Sequence, residues 1–282
     1  MHKPASPWLT TALSLAIGIV LIVAWHWATL PASAPTAAKS EYARLAGPAA
    51  GQPKAASAMP SPAQVVTRGR ELLATAFTGY HSNNQGLAFH LLDSLVRVLS
   101  GFALAVLVAV PLGFALGLSP LLHGALNPYI QVLRPISPLA WLPMALYTLR
   151  DSAMSAIFVI FICALWPLLI NTIHGVFAVR PEWLNVARVM GLPLTTRIRR
   201  IIFPAALPMI LTGMRISIGI AWLVIVAAEM VVGNSGIGYF VWNEWNNLQI
   251  SSMIIAILLI GFVGLGLDQI IGRVAASLSF KE

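Results

Sequence analysis

The sequence has little from which a chemical centre could be built. It contains one cysteine, Cys163, which excludes an internal disulfide and a cysteine-based metal cluster. The histidines lack the spacing of metal ligands; they are His2, His26, His81, His90, His123 and His174. A Gly-x-x-x-x-Gly-Lys-Ser/Thr phosphate loop is also absent, so we expect the chain to bind no ATP in that way and to hold no cofactor of its own. An enzyme is the least favoured class of function.

Charge is scarce as well: 9% of the residues are charged and 58% are hydrophobic, which excludes a soluble domain. Several apolar runs reach the ~20 residues that a helix needs to cross a ~30 Å hydrocarbon core. Because a backbone in lipid must satisfy its own hydrogen bonds, we predict an all-α membrane protein of about six transmembrane helices. The predicted spans are 9–30, 93–118, 126–149, 153–177, 208–232 and 252–272.

The orientation is predicted from the basic residues, since Lys and Arg mark the cytoplasmic side of a membrane protein. Five arginines lie at 180–200, which places this segment and both termini in the cytoplasm and residues 233–251 outside. The net charge of +8 is then a feature of topology and does not indicate nucleic-acid binding. Residues 31–92 carry basic residues on the outside, but long loops are largely exempt from the rule.

The chain divides into five predicted regions. Residues 1–30 form a transmembrane anchor; its end resembles a signal-peptide cleavage site, but the apolar run is longer than usual, so we expect it to be retained, with cleavage as the alternative. Residues 31–60 are an Ala/Pro-rich external linker. Residues 61–92 are an amphipathic helix, begun by Ser61 and Pro62, and an external loop. Residues 93–275 are the membrane core, and residues 276–282 are a cytoplasmic tail.

Two features of the core spans bear on packing. Gly113 and Gly117 have the spacing that permits close contact between helices. In the third span, Pro135, Pro138 and Pro143 follow Arg134 and remove backbone donors at membrane depth. Such a broken backbone is tolerated when it is buried in protein or faces a water-filled cavity. Both a kinked packing helix and a pathway-lining segment remain open.

The charges of Arg215, Glu229 and Asp268 lie within predicted spans and need an explanation, because a charge at the bilayer centre is costly. Arg215 and Glu229 lie on one helix face but about 21 Å apart along the axis, so they cannot pair. Asp268 lies at a depth comparable to that of Arg215, and we predict a contact between these two, with snorkelling of both side chains as the alternative. Glu229 is interpreted as an outer-gate or structural residue.

The basic segment has the features of a short projecting helix. Pro181 suits a first turn, Gly191 suits a left-handed C-terminal cap, and Pro193 follows directly. A second short helix is predicted from about Thr195 to Ile202, before Pro204. A simple connection would be shorter, so we interpret this segment as a docking site.

The same segment resembles the signature of the permease subunits of ABC importers: Glu-Ala-Ala, three residues, Gly, nine residues, then Ile-x-Leu-Pro. Ala187 and Gly191 have this spacing, and Ile201-Ile202-Phe203-Pro204 follows after nine residues. The identities depart at Asn185, Val186 and Phe203. The resemblance covers roughly residues 90–275.

Within that family the chain is most similar to the nitrate/nitrite branch. The similar segments are Ser137 to Pro143, Asn185 to Val189, Thr212 to Leu223, Val226 to Met230 and Val241 to Asn247. Taurine, sulfonate, cyanate and bicarbonate permeases are close relatives and remain alternatives for the substrate. An uncoupled channel or scaffold is the alternative from another class.

The resemblance implies a type I ABC importer permease-like bundle with a cytoplasmic coupling helix, in the bacterial inner membrane. The partners would be a second permease copy in a homodimer, two cytoplasmic ATPase subunits that carry the ATP and Mg, an external anion-binding protein and membrane lipids, with no nucleic acid. ATPase docking is expected at Asn185, Ala187, Arg188, Gly191 and Pro204. Arg134 and Arg215 are candidates along the anion pathway, with an interfacial or packing role as the alternative for Arg134. Contact with the binding protein is expected at Trp242, Glu244, Trp245 and Asn246, and an aromatic belt is the alternative for the tryptophans.

Overall fold

The computed structural model describes residues 7–30, 59–79 and 85–278, and every regular element in these ranges is a helix. The all-α prediction is therefore confirmed. Most of the predicted linker, residues 31–58, and residues 279–282 of the predicted tail lie outside the described ranges. The helices are α1 Pro7–Ala28, α2 Pro62–Ala74, α3 Leu87–Leu118, α4 Pro120–Leu133, α5 Pro138–Leu149, α6 Ser152–Phe177, α7 Pro181–Val189, α8 Leu194–Arg197, α9 Phe203–Val232, α10 Ile237–Asn246 and α11 Ile250–Leu278.

Five helical stretches of the described chain are long and apolar enough to cross a membrane. They are Trp8–Ala28, Leu87–Leu118, Ser152–Phe177, Leu194–Val232 and Ile250–Ser277. The remaining predicted span, 126–149, is divided between α4 and the shorter apolar helix α5. The division falls between Leu133 and Pro138, because Pro135 and Pro138 lack the N–H that a continuous helix requires.

The chain forms two compact units. The first comprises residues 1–75 and 244–255. In it, α2 begins with a capping box in which the Ser61 backbone N–H donates to Gln64 Oε1 at 2.8 Å, as the predicted helix start requires. Arg68 Nε donates to Ser252 Oγ at 2.9 Å, so α2 is held against the first turn of α11. The side chains of α1 are almost all exposed, which suits a helix surrounded by lipid.

The second unit comprises residues 76–243 and 256–282, and α6 lies at its centre between α3 and α9. Glycines bring α3 close to α6: a Cβ added at Gly101 would lie 2.7 Å from the Ile160 side chain, and one at Gly113 would lie 2.6 Å from Thr172. Gly117 meets Val176 in the same way, also at 2.6 Å. The close contact predicted for Gly113 and Gly117 is therefore present.

Helices α5 and α9 complete the core around the lone cysteine. Cys163 is buried with Leu142 of α5 and Val224 of α9. Ser217 Oγ of α9 donates to the Ala164 carbonyl of α6 at 2.7 Å. This buried hydroxyl is thus hydrogen-bonded across two helices, as an apolar environment demands.

Candidate functional site

Helix α7 occupies the segment interpreted above as a docking site. Pro181 lies in its first turn together with Glu182, and Arg188 lies in its last turn. This arrangement of charges complements the helix dipole. The Arg180 guanidinium lies 5.6 Å from the centre of the Trp183 ring, which fixes the entry to the helix.

A Schellman motif ends α7 and explains the Ala187–Gly191 spacing. Gly191 has φ +65°, the Leu192 N–H donates to the Ala187 carbonyl at 3.1 Å, and the Gly191 N–H donates to the Arg188 carbonyl at 2.9 Å. Ala187 is only 1% exposed, so the small residue packs against the bundle while the glycine turns the chain. Asn185, at the glutamate position of the family signature, is exposed and accepts a long 3.4 Å hydrogen bond from Arg188.

The segment that connects α7 to the next membrane helix differs from the prediction. Instead of a separate helix ending before Pro204, α8 continues through a π-helical turn at Ile198–Ile202 directly into α9. Pro204 lies in the first turn of α9, where its missing N–H does not break the helical path. The predicted span 208–232 is consequently part of one apolar helical stretch, Leu194–Val232.

Helix α7 presents exposed apolar side chains and borders a cavity. Val186, Val189 and Met190 are 58%, 90% and 68% exposed, and their spacing places them on one face of the helix. A cavity of about 790 Å³ lies beside the helix and is lined by Trp183, Ala187, Met190, Leu192, Arg200 and Pro204, among others. A large exposed apolar patch beside a groove is typical of a protein–protein contact.

A buried network surrounds Glu229 near the C-terminal end of α9. The Glu229 carboxylate is 2% exposed and accepts hydrogen bonds from Arg97 Nη1 and Ser94 Oγ, both at 2.7 Å. The Gly238 N–H also donates to it, at 3.1 Å. The interpretation of Glu229 as a structural residue is consistent with these contacts, because its charge is paired.

The same network fixes the loop between α9 and α10. Arg97 donates to the Ser235 carbonyl at 2.8 Å and to Ser235 Oγ at 2.6 Å. The Gly236 N–H donates to His90 Nδ1 at 3.1 Å, and the Ile237 N–H donates to Ser94 Oγ at 2.8 Å. Gly236 has φ +111°, and a Cβ there would overlap the Glu229 carboxyl group.

Sequence reasoning missed three members of this network: His90, Ser94 and Arg97. They share one face of α3 at spacings of four and three residues, a polar stripe on an otherwise apolar helix. This polar stripe in the sequence indicates the face of α3 that meets other polar groups.

Arg215 and Asp268 are brought together as predicted. Arg215 Nε and Nη2 donate to the two carboxylate oxygens of Asp268, each at 2.5 Å, in a bidentate ion pair between α9 and α11. Both side chains are partly exposed in the isolated chain. Arg134 lies elsewhere, at the C-terminal end of α4 where the third span breaks, and its side chain is exposed.

The residues predicted to meet an external partner lie on α10 or its end. Trp242 and Trp245 are 40% and 52% exposed, and Asn246 is exposed beside them. Glu244 is half-buried, and its Oε2 has no hydrogen-bond partner in the part of the chain that the structure describes. Trp242, Trp245 and Asn246 share a helix face because they are spaced three and four residues apart.

Comparison with known proteins gives a consistent result. The family model described as "Binding-protein-dependent transport system inner membrane component" matches residues 101–279. The chain is 46% identical over 215 residues to the nitrate import permease protein NrtB of Synechocystis sp., covering 76% of this chain and 78% of the relative. It is 42% identical over 219 residues to the bicarbonate transport system permease protein CmpB of Synechococcus elongatus, covering 77% and 79%.

A solved structure supports the fold. The permease chain of the inward-facing MetNI methionine ABC transporter superposes with a TM-score of 0.61 at 14% identity, covering 69% of this chain and 96% of that one. A type I ABC importer permease fold is therefore confirmed. The chain belongs to the family of binding-protein-dependent transport system inner membrane components and is an ABC importer permease.

Proposed function

We propose that this chain is the permease subunit of an ATP-driven importer for a small oxyanion, with nitrate or nitrite as the first candidate. The relative with 46% identity is a nitrate import permease. Bicarbonate is the second candidate, because bicarbonate permeases at 42% and 44% identity follow closely. These anions share a single negative charge and a small oxygen-bearing shape.

The observation that carries the proposal is the exposed apolar face of α7. Val186, Val189 and Met190 lie on a segment rich in arginine, and each is more than half exposed in the described chain. Burying such side chains in a partner's groove contributes roughly 1.5–3 kcal/mol for each one fully covered. We infer that this face docks on a cytoplasmic ATPase subunit, which also carries the ATP and Mg.

The contacts around α7 suit the transmission of force. Ala187 is packed into the bundle, and the Gly191 cap sets the direction of the turn. Pro204 lies where the segment continues into α9, so displacement of α7 is passed to a membrane helix. Closure of the ATPases would then switch the bundle between inward-open and outward-open states, with Asn185 and Arg188 at the docking surface.

The proposed assembly contains two copies of this chain, two ATPase subunits and an external anion-binding protein, in the inner membrane. With α7 on the cytoplasmic side, both termini are cytoplasmic and α10 faces outward. The exposed Trp242, Trp245 and Asn246 then form the surface that meets the binding protein, next to Glu244. Arg215, paired with Asp268, is less available to an anion than Arg134.

Substitution of Val189 tests the docking face. Val189→Asp places a charge in the contact and is expected to reduce both co-purification of the ATPase and ATP-dependent uptake of labelled nitrate at least tenfold, whereas Val189→Ile retains both. Labelled bicarbonate and taurine identify the substrate in the same proteoliposomes. Full uptake by Val189→Asp, or uptake by the wild type without ATP, would contradict the proposal, and the second result would favour an uncoupled channel.

A further inference from the structure

A second cavity lies in the unit that contains α3 to α9, and it shares no lining residue with the cavity beside α7 or with the Glu229 network. Its volume is about 730 Å³, within the usual range for small-molecule sites. It lies between α4 and the C-terminal part of α6, and its lining is His123, Asn127, Ile130, Gln131, Arg134, Pro135, Ile170, Ile173, His174 and Phe177. Because α7 begins four residues after Phe177, the cavity lies at the end of α6 that leads into the docking segment.

The polar side chains of this cavity form an ordered set. His123, Asn127 and Gln131 follow one another at four-residue spacing along α4, and Arg134 continues this face at the break before α5. His174 of α6 faces the same space. All five side chains can donate hydrogen bonds, and the lining contains no carboxylate.

The fold leaves these groups available to a ligand. The ion pairs of the described chain are Arg68–Glu71, Arg97–Glu229 and Arg215–Asp268, so none of them neutralises Arg134. The His123 ring packs edge-on against Phe177, with ring centres 5.2 Å apart, and its Nδ1 has no hydrogen-bond partner among the described residues. A positive, donor-rich cavity without a competing acid favours an anion.

We propose that this cavity is an oxyanion site of the permease itself. The inference rests on the proposed function and deepens it: a small monovalent oxyanion binds to the Arg134 guanidinium, with the Asn127 and Gln131 amides and the imidazoles of His123 and His174 as further donors. An arginine fork matches two oxygens of such an anion. The anion occupies this site at the end of the bundle next to α7, which is the release side of an importer.

Accessibility of a reporter cysteine tests the site without any transport step. Ile130→Cys in a Cys163→Ala background places one thiol in the cavity, and Ile170→Cys is a second reporter on the facing helix. Labelling by an anionic and by a cationic thiol reagent is measured in the permease purified with its ATPase partner, in nanodiscs of zwitterionic lipid. Nitrate is expected to slow labelling, and anionic reagent is expected to react faster than cationic reagent.

The Arg134 variants decide the outcome. In Arg134→Gln, the nitrate concentration that halves the labelling rate should rise at least tenfold, which corresponds to about 1.4 kcal/mol. Arg134→Lys should show a smaller rise, and the matched control Arg273→Gln, at the end of α11, should show none. The preference for the anionic reagent should fall in Arg134→Gln alone.

Three results would overturn this inference: no protection by nitrate, nitrite or bicarbonate, protection that Arg134→Gln leaves unchanged, or displacement of nitrate by anionic phospholipid, which would identify a lipid headgroup site. Failure of the proposed function is distinguishable, because it shows as absence of ATP-dependent anion uptake by the wild-type assembly whatever the labelling result.

Discussion

Arg97 and Glu229 lie 132 residues apart in the sequence, and their side chains meet at 2.7 Å across α3 and α9. The carboxylate is 2% exposed, and the guanidinium also holds the Ser235 carbonyl. A charge pair so placed connects two helices and a loop at one point. The pair therefore helps to fix the loop between α9 and α10, together with the bonds that His90 and Ser94 accept from the Gly236 and Ile237 N–H groups.

Removing one member of this pair should destabilise the permease strongly, because the other charge remains buried and unpaired. We expect Arg97→Met or Glu229→Leu alone to cost about 3–5 kcal/mol. The double variant should lose markedly less than the sum of the two. Thermal unfolding of the purified chain in one detergent provides the measurement, arranged as a double-mutant cycle. Additive losses would show that the two side chains act independently.

Gly191 should tolerate only residues that adopt a left-handed backbone. In the described chain, no atom beyond the residues next to Gly191 lies within 4 Å of a Cβ built there, so the cost of substitution is conformational rather than steric. Gly191→Val should cost more than the roughly 1–2 kcal/mol expected for a left-handed residue, and Gly191→Asn should cost less. The readout is ATP-dependent anion uptake relative to the amount of permease in the membrane. Equal activity of the two variants would mean that the cap is dispensable.

Substitution by alanine is expected to lower stability at Gly113, which lies in the contact between α3 and α6, but not at Gly261, which lies outside it. Gly113→Ala would place a Cβ 2.6 Å from Thr172 and should destabilise the bundle by about 1–3 kcal/mol. A Cβ at Gly261 of α11 would meet no atom of another described helix within 4 Å, so Gly261→Ala should be neutral or should stabilise the helix by up to about 1 kcal/mol. The comparison of apparent melting temperatures checks both. A loss of stability in both variants would point to a general intolerance of alanine rather than to helix contact.

Assembly and uptake are expected to depend on opposite charges at positions 215 and 268, whichever position carries the arginine. Arg215→Asp and Asp268→Arg should each reduce assembly and uptake, and the exchanged pair should recover a substantial part, because the two groups remain opposite each other across α9 and α11. Membrane abundance and ATP-dependent uptake are measured for all three variants. Failure of the exchange to restore either quantity would remove support for a direct role of the pair.

Features that depend on local spacing, or on depth in the membrane, were predictable from the sequence. Gly191 ends a helix because only a left-handed residue can close a Schellman motif, and Ser61 begins one because its side chain and Gln64 form a capping box. The Arg215–Asp268 contact followed from comparable depth in two apolar runs. The two helix caps join residues that are close in sequence, and the ion pair joins residues at the same depth in the membrane. Both conditions leave few possible partners.

Two features that depend on packing between helices were not predicted. Glu229 was recognised as a buried charge, but its partner Arg97 lies on a helix whose rotation about its axis is set by the packing of Gly101 and Gly113 on α6. The continuous helix across Pro204 was also not predicted. A proline in the first turn of a helix and a proline that follows a helix look alike in sequence. Tertiary packing decides both questions.

The uninterrupted helical stretch from Leu194 to Val232 contains 39 residues and is about 58 Å long at 1.5 Å per residue. It begins three residues after Gly191 and ends three residues beyond Glu229. A tilt of this rod by a few degrees about its midpoint shifts its two ends in opposite directions. Each displacement of α7 must therefore either break the hydrogen bonds between Arg97 and Ser235 in the loop after α9, or move α3 together with α9.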